Sequence, residues 1–422
     1  MTGKQSIPDT WSPVGADGHR SPHRTLKREA DKKIPALQGL RGIAVVLVVL
    51  FHALTRYVPF GWVGVWLFFS LSGFVITLSL RKASFDKDGT AVMLNFYKKR
   101  AFRILPLYIL ILAVGCFICL MMAMSGRPNV PPALEHLPFL VSVTYNFYRM
   151  SSVYQHTELF GHLWSLCVEE QFYLVYPFIF LLLRPVAYIR FMVFVILACP
   201  IGRLCLNLYL SEAGYSENQI ATIIYLCPLS NFDAFAAGCL GACLQHRTAQ
   251  FGQRFWFSLT AALVFALGSY LAIRTLMLGN TVADVAKSLF SAEVRGLSDQ
   301  VFIYSFLALA AGGLVAVCAS KTQSALAILT VAPLVWIGEI SYGIYMYHFP
   351  LLYLRFEFLP KSIKGPYAAF YGLSVFLIYF ISLILISYLS LRHLERPFLR
   401  LSDQIRRQKE SALPTLNLDP RG

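Results

Sequence analysis

The chain has 422 residues, of which 57% are hydrophobic and only 14% charged, with a mean hydropathy of +0.58. A soluble globular domain carries about a quarter charged residues, so a water-soluble single-core enzyme is excluded. The formal net charge of +15 sits in the tails and in short loops between apolar runs of about 20 residues, which speaks for membrane topology and against nucleic-acid binding.

Residues 1–34 are polar, rich in Pro, Gly and Ser, and lack the short apolar core and small-residue cleavage site of a signal peptide. They are expected to form a disordered cytoplasmic tail. Apolar runs follow at 36–56, 61–80, 104–124, 165–183, 186–208, 221–244, 255–278, 301–319, 326–354 and 367–391. Segments such as Ile43 to Leu50 show no dyad alternation, so a membrane barrel is not indicated. The expectation is an all-α, polytopic membrane bundle of about ten helices over residues 35–400, with a basic cytoplasmic tail at 401–422. Alternating the loops puts 26 Lys and Arg on one side and 10 on the other, with Arg41 inside a span, and the positive-inside rule then places both termini in the cytoplasm of a cell (inner) membrane protein. Two outward stretches, 125–164 and 279–300, are long enough to carry function. No convincing internal repeat is visible. The nine cysteines lie in or beside apolar runs rather than in a disulfide framework. Cys116 and Cys119 have the spacing of half a metal site, but no second pair completes it, and no metal is expected.

Ionisable groups inside apolar runs are costly and therefore serve as candidate functional groups. Arg41 and His52 are eleven residues apart in the first run, which is 20° past three helical turns, so they share a face about 16 Å apart along the axis. Arg41 can snorkel to a membrane edge; His52, between Phe51 and Ala53, reads as too deep for that. A neutral imidazole there can accept a proton or act as a nucleophile. The segment Phe68 to Phe74 offers small residues for close packing. Arg100 and Arg103 stand one turn apart before Pro106, at an expected helix start, where they supply either ordinary loop charge or a phosphate clamp. Ser165, Glu169, Tyr173 and Tyr176 fall within about 80° of one another and form a polar stripe, while Glu170 points elsewhere. Trp164 and the tyrosines suit an interfacial belt or a stacking surface for a sugar ring. Ser341, Tyr345 and His348 fall within about 60° on the ninth run. Asp233 sits mid-run and can pair with a buried Arg or His. Glu395-Arg396-Pro397-Phe398 is expected to stop the tenth helix.

This set resembles the acyltransferase-3 family of integral-membrane O-acyltransferases over about residues 33–400. The resemblance rests on Leu40-Arg41-Gly42 with His52, Gly64-Val65 through Phe68-Phe69-Ser70-Leu71-Ser72-Gly73-Phe74, Arg100 and Arg103 before Pro106, Trp164-Ser165 to Glu169-Glu170-Gln171-Phe172-Tyr173, and Ser341-Tyr342 to His348 with Pro350. Trp66 stands where members often have an acid, and Asn231 where a basic residue is common, so the ion pair some relatives build around Asp233 is expected to be missing. The chain ends soon after the tenth run, which reads as the form without an appended esterase-like domain. The resemblance implies transfer of an acyl group, most simply acetyl, from cytoplasmic acyl-CoA to a hydroxyl of a carbohydrate or glycosylated acceptor, with no permanently bound cofactor. It implies that Arg41, Arg100 and Arg103 hold the CoA end, and that His52 acts as general base or forms an acyl-imidazole. Glu169 would orient His52 or bind the acceptor, and Tyr345 and His348 would position acceptor or acyl carbonyl. The alternatives are a proton-coupled transporter using His52, Glu169, Asp233 and His348 as a relay, and a receptor or scaffold in which these groups only pack helices.

Overall fold

A computed structural model of the chain describes residues 34–55, 57–84, 88–126, 133–155, 157, 159–277, 279, 281, 293–319, 327–360 and 367–412. The expected tail at 1–34 therefore lies almost wholly outside the described residues, as do most of the 279–300 stretch and residues 413–422. Among the described residues the structure is helical, without strands, and seven helices are long and apolar enough to cross a membrane. The chain divides into two compact units, residues 1–89 with 131–341 and residues 90–130 with 342–422.

The first unit is built on α1 (Pro35–Ala53), α2 (Val63–Ser84), α4 (Ala133–Val141), α5 (Tyr145–Met150), α6 (Leu163–Leu182), α7 (Pro185–Glu212), α8 (Glu217–Leu226), α9 (Phe232–Met277), α10 (Leu297–Ala319) and α11 (Ala332–Glu339). In lipid no water is expelled when apolar helices meet, so close packing and hydrogen bonds must hold them together, and small residues permit both. That is how this unit is joined. A Cβ on Gly73 would meet the Phe235 carbonyl oxygen at 2.1 Å, and one on Gly238 would meet the Ser70 carbonyl oxygen at 1.9 Å, so α2 and α9 touch backbone to backbone in both directions. Ser70 Oγ donates to the Ala234 carbonyl across the same contact at 2.8 Å. Gly39 and Gly338 play the same part between α1 and the segment 327–339, against Leu329 and Gln38. Leu37, Leu40, Ala44, Leu71, Phe74 and Val315 close the core around these contacts.

The second unit holds α3 (Gly89–Met124), α12 (Ser341–Phe358), α13 (Ala368–Ser390), a π turn at Leu391–Glu395 and α14 (Arg396–Ala412). Tyr342 donates to the Ile104 carbonyl at 2.9 Å and Tyr353 contacts Met122 Sδ at 3.1 Å, so α3 and α12 run side by side in one direction. Val375, Tyr379, Leu383 and Ser387 form the buried stripe of α13, with Tyr379 donating to the His348 carbonyl at 3.2 Å.

Several expected boundaries are corrected. The run at 221–244 is two helices joined by a 3-10 turn at Pro228–Ser230, because Pro228 has no N–H to continue α8 and Asn231 Nδ2 binds the carbonyls of Tyr225 and Cys227 instead. No break separates 244 from 255, and α9 runs through both. The run at 326–354 divides at Ile340 into α11 and α12. Arg100 and Arg103 do not start a helix. They lie within α3, whose 36 residues extend about 54 Å against about 30 Å of hydrocarbon. Pro397 does not stop the last helix either: Arg396 N–H bonds the Leu391 carbonyl in the π turn, so Pro397 falls in the first turn of α14, where its missing N–H costs little. The expected tail at 401–422 is thus helical as far as Ala412.

Candidate active site

Because α1 is uninterrupted from Pro35 to Ala53, Arg41 and His52 do share one face. Both are half-buried. His52 stands in the last turn of α1, with Leu54 closing that turn on the Leu50 carbonyl. Its Nδ1 lies 2.9 Å from the Val48 carbonyl oxygen. A carbonyl only accepts, so Nδ1 carries the proton and, in the neutral ring, Nε2 carries the lone pair. Phe51 packs edge-on against the imidazole at 4.9 Å. Arg149, on the short helix α5, lies close enough for its charge to bear on His52. Its guanidinium rests over the Tyr154 ring at 5.6 Å and donates to the Gly161 carbonyl at 2.8 Å.

On α6 the polar stripe serves two ends. Glu169 Oε1 accepts hydrogen bonds from Ser72 Oγ on α2 and from Tyr173 OH one turn away on its own helix. Two charge-assisted bonds fix this carboxylate in rotamer and direction. Tyr176 instead bonds Thr77 Oγ1 on α2 and Tyr188 OH on α7, the latter at 2.7 Å, and so ties three helices together. Ser165 Oγ donates to the His162 carbonyl at 3.3 Å. Trp164 is buried against Tyr225, centroids 4.6 Å apart, and Phe69 at 6.4 Å. Gln171, next along the helix, donates to the Val143 carbonyl at 2.8 Å and to Asn146 Oδ1 at 2.9 Å. Val143 has φ +58°, the left-handed region that a β-branched residue rarely adopts.

Asp233 pairs with a buried arginine, as its position in an apolar run allows, and the partner comes from α7 rather than from the Asn231 position. Arg203 Nη2 on α7 lies 2.7 Å from Asp233 Oδ2, both side chains are essentially inaccessible, and the same nitrogen donates to Ser305 Oγ at 2.6 Å. Asp233 is in the first turn of α9 rather than mid-span, where its Oδ1 also accepts the Ala234 N–H at 2.9 Å and offsets the positive end of the helix dipole. Trp66 lies between Tyr304 and Tyr225, and the Arg203 guanidinium lies over Tyr304 at 5.8 Å. The signal for this pair lies in the sequence, since Arg203 falls inside the apolar run 186–208. In the sequence Ser72 reads only as a small packing residue within Phe68 to Phe74.

Arg100, Arg103, Tyr345 and His348 belong to the second unit. Both arginines are half-buried on α3, Arg100 with its guanidinium 5.6 Å from the Phe96 ring. Arg103 lies within electrostatic range of Glu395, which is buried and accepts from Ser390 Oγ at 3.4 Å. His348 is fully buried, its Nδ1 bonded to the Tyr345 carbonyl and its ring 5.3 Å from the Tyr345 ring. Structure thus gathers Arg41, His52, Trp164, Glu169 and Tyr173 in one unit and the other four in the second. The nine cysteines are free thiols.

The helical membrane bundle and the match of residues 34–392 to an acyltransferase domain define the class, an integral-membrane acyltransferase domain. The acyltransferase-3 family, described as an acyltransferase domain, matches residues 34–392, and the chain belongs to that family. It is similar to the peptidoglycan O-acetyltransferase OatA of Listeria monocytogenes, with 25% identity over 340 residues, 78% of this chain and 50% of that protein. It is also similar to the O-acetyltransferase OatA of Staphylococcus aureus, with 27% identity over 162 residues, 37% of this chain and 26% of that protein. The chain spans about half or less of the length of these curated relatives. No solved structure matches it.

Proposed function

We propose that the chain catalyses O-acyl transfer, most simply of acetyl, from acyl-CoA on the cytoplasmic side to a hydroxyl of a carbohydrate or glycosylated acceptor. The observation that carries this reading is the His52 tautomer. With Nδ1 held by the Val48 carbonyl, Nε2 is the nitrogen that can take the acceptor's proton. The alkoxide oxygen then adds to the thioester carbonyl, the C–S bond breaks, and the CoA thiolate recovers the proton from the imidazolium. A covalent acyl-imidazole would use the same nitrogen. Arg41, Arg100 and Arg103 supply planar cationic donors suited to the phosphates of CoA. Glu169, fixed by Ser72 and Tyr173, suits a hydrogen bond to an acceptor hydroxyl, and Trp164 an aromatic face for a sugar. Tyr345 and His348 serve to position acceptor or acyl carbonyl. The peptidoglycan named for the Listeria relative supports a glycan acceptor. The seven Lys and Arg among residues 1–34 and the six from Arg392 to Lys409 speak for cytoplasmic termini.

The test is transfer of label from acetyl-CoA to candidate glycans by membranes containing the full chain. Label should move with the wild type and not with His52→Ala that is still inserted and folded. Transfer unchanged by His52→Ala would remove this histidine from the chemistry, and substrate-dependent proton flux without acyl-CoA would favour a transporter.

A further inference from the structure

The last helix is built unlike the others. α13 is a membrane span, and α14 begins six residues after its last residue, so α14 starts at a membrane face. The junction departs from regular α-helix: a π turn at Leu391–Glu395, with Arg396 N–H bonded to the Leu391 carbonyl, separates the span from α14, and Pro397 stands in the first turn of α14. Beyond it, Phe398, Leu401 and Ile405 lie within about 60° of one another around the helix, and Arg396 and Arg400 lie on the opposite side. Phe398 and Leu401 are 39% and 45% exposed, on a helix whose other described side chains are exposed or half-buried as well. From Arg392 to Lys409 the sequence carries six Lys or Arg against two acids, one of which, Glu395, is buried.

An apolar stripe backed by cations, following directly on a membrane span, has the chemistry of a helix lying in the interface of an anionic leaflet. We propose that α14 is such a helix: its Phe398–Leu401–Ile405 face enters the acyl boundary of the leaflet at which α13 ends, and its arginines bind anionic phospholipid headgroups. The occupant is the protein's own bilayer. Charge complementarity and continuity with α13 favour it over a second copy of the chain, which would have to match the same basic surface.

The full chain is reconstituted in nanodiscs of phosphatidylcholine alone or mixed with phosphatidylglycerol, and amide exchange is followed in residues 396–405, with α13 as the internal control for folding. Exchange in 398–405 should be about tenfold slower with phosphatidylglycerol. Arg396→Gln with Arg400→Gln, or raised salt, should remove that lipid dependence, and Phe398→Glu with Leu401→Glu should remove the protection in both lipids. Equal exchange in the two lipids, insensitive to the charge substitutions, would overturn the proposal, as would protection that depends on the number of chains per disc.

Discussion

α2 and α13 are both apolar helices of membrane-spanning length, and α13 is the more hydrophobic of the two, yet 67% of the α2 span is buried against 17% of the α13 run. Hydropathy identifies a span and says nothing of where it sits. What separates the two is how their small and hydroxylated residues are used. α2 meets its neighbours through Gly73, Ser70, Ser72 and Thr77, each in a tight contact or a hydrogen bond. α13 carries Gly372, Ser374 and Ser382 too, yet it offers one narrow buried stripe, and Phe370, Leu373, Leu377, Ile378, Ile381 and Leu385 lie exposed as suits lipid.

The sharpest way to break this contrast is to give each helix the same insult. Gly73→Leu drives a side chain into the Phe235 carbonyl and should abolish the folded protein in detergent; Gly372→Leu on α13, with nothing within 4 Å of its Cβ position, should leave the melting temperature within about 1 °C. Comparable losses from both would mean that α13 is covered by something. Next in size is Arg203→Met, which strands the Asp233 carboxylate and should cost about 3–5 kcal/mol in denaturation, with much of that regained in Arg203→Met/Asp233→Leu. His52→Ala should leave the melt nearly unchanged while transfer falls by about 10²–10⁴-fold. Smallest are Ser72→Ala and Tyr173→Phe, each removing one bond to Glu169. Each should cost about 1 kcal/mol, and the double mutant should depart from additivity because both donors share Oε1.

Against this background it is clear which features periodicity could supply. The shared face of Arg41 and His52 was legible because one uninterrupted helix carries both, and the Glu169–Tyr173 pair because partners one turn apart are written into the spacing. Ser72 as the other partner of Glu169 was not legible, since 97 residues separate them and only the packing of α2 on α6 brings them together. The breaks at Pro228–Asn231 and Ile340 were hidden for a different reason: apolar residues continue on both sides, so a window of hydropathy passes over them. Arg203 is a third case: it lies within an apolar run, but its partner Asp233 is 30 residues away on another helix and only packing brings the two together.

Val143 has a consequence of its own. A valine at φ +58° stores conformational energy of order 1–3 kcal/mol, and here Gln171 latches its carbonyl beside the Glu169 turn. Asparagine tolerates that backbone, so Val143→Asn should raise the melting temperature rather than lower it. If the sturdier protein turned over more slowly, the tension in this one peptide would be part of how the enzyme keeps the turn beside Glu169 poised.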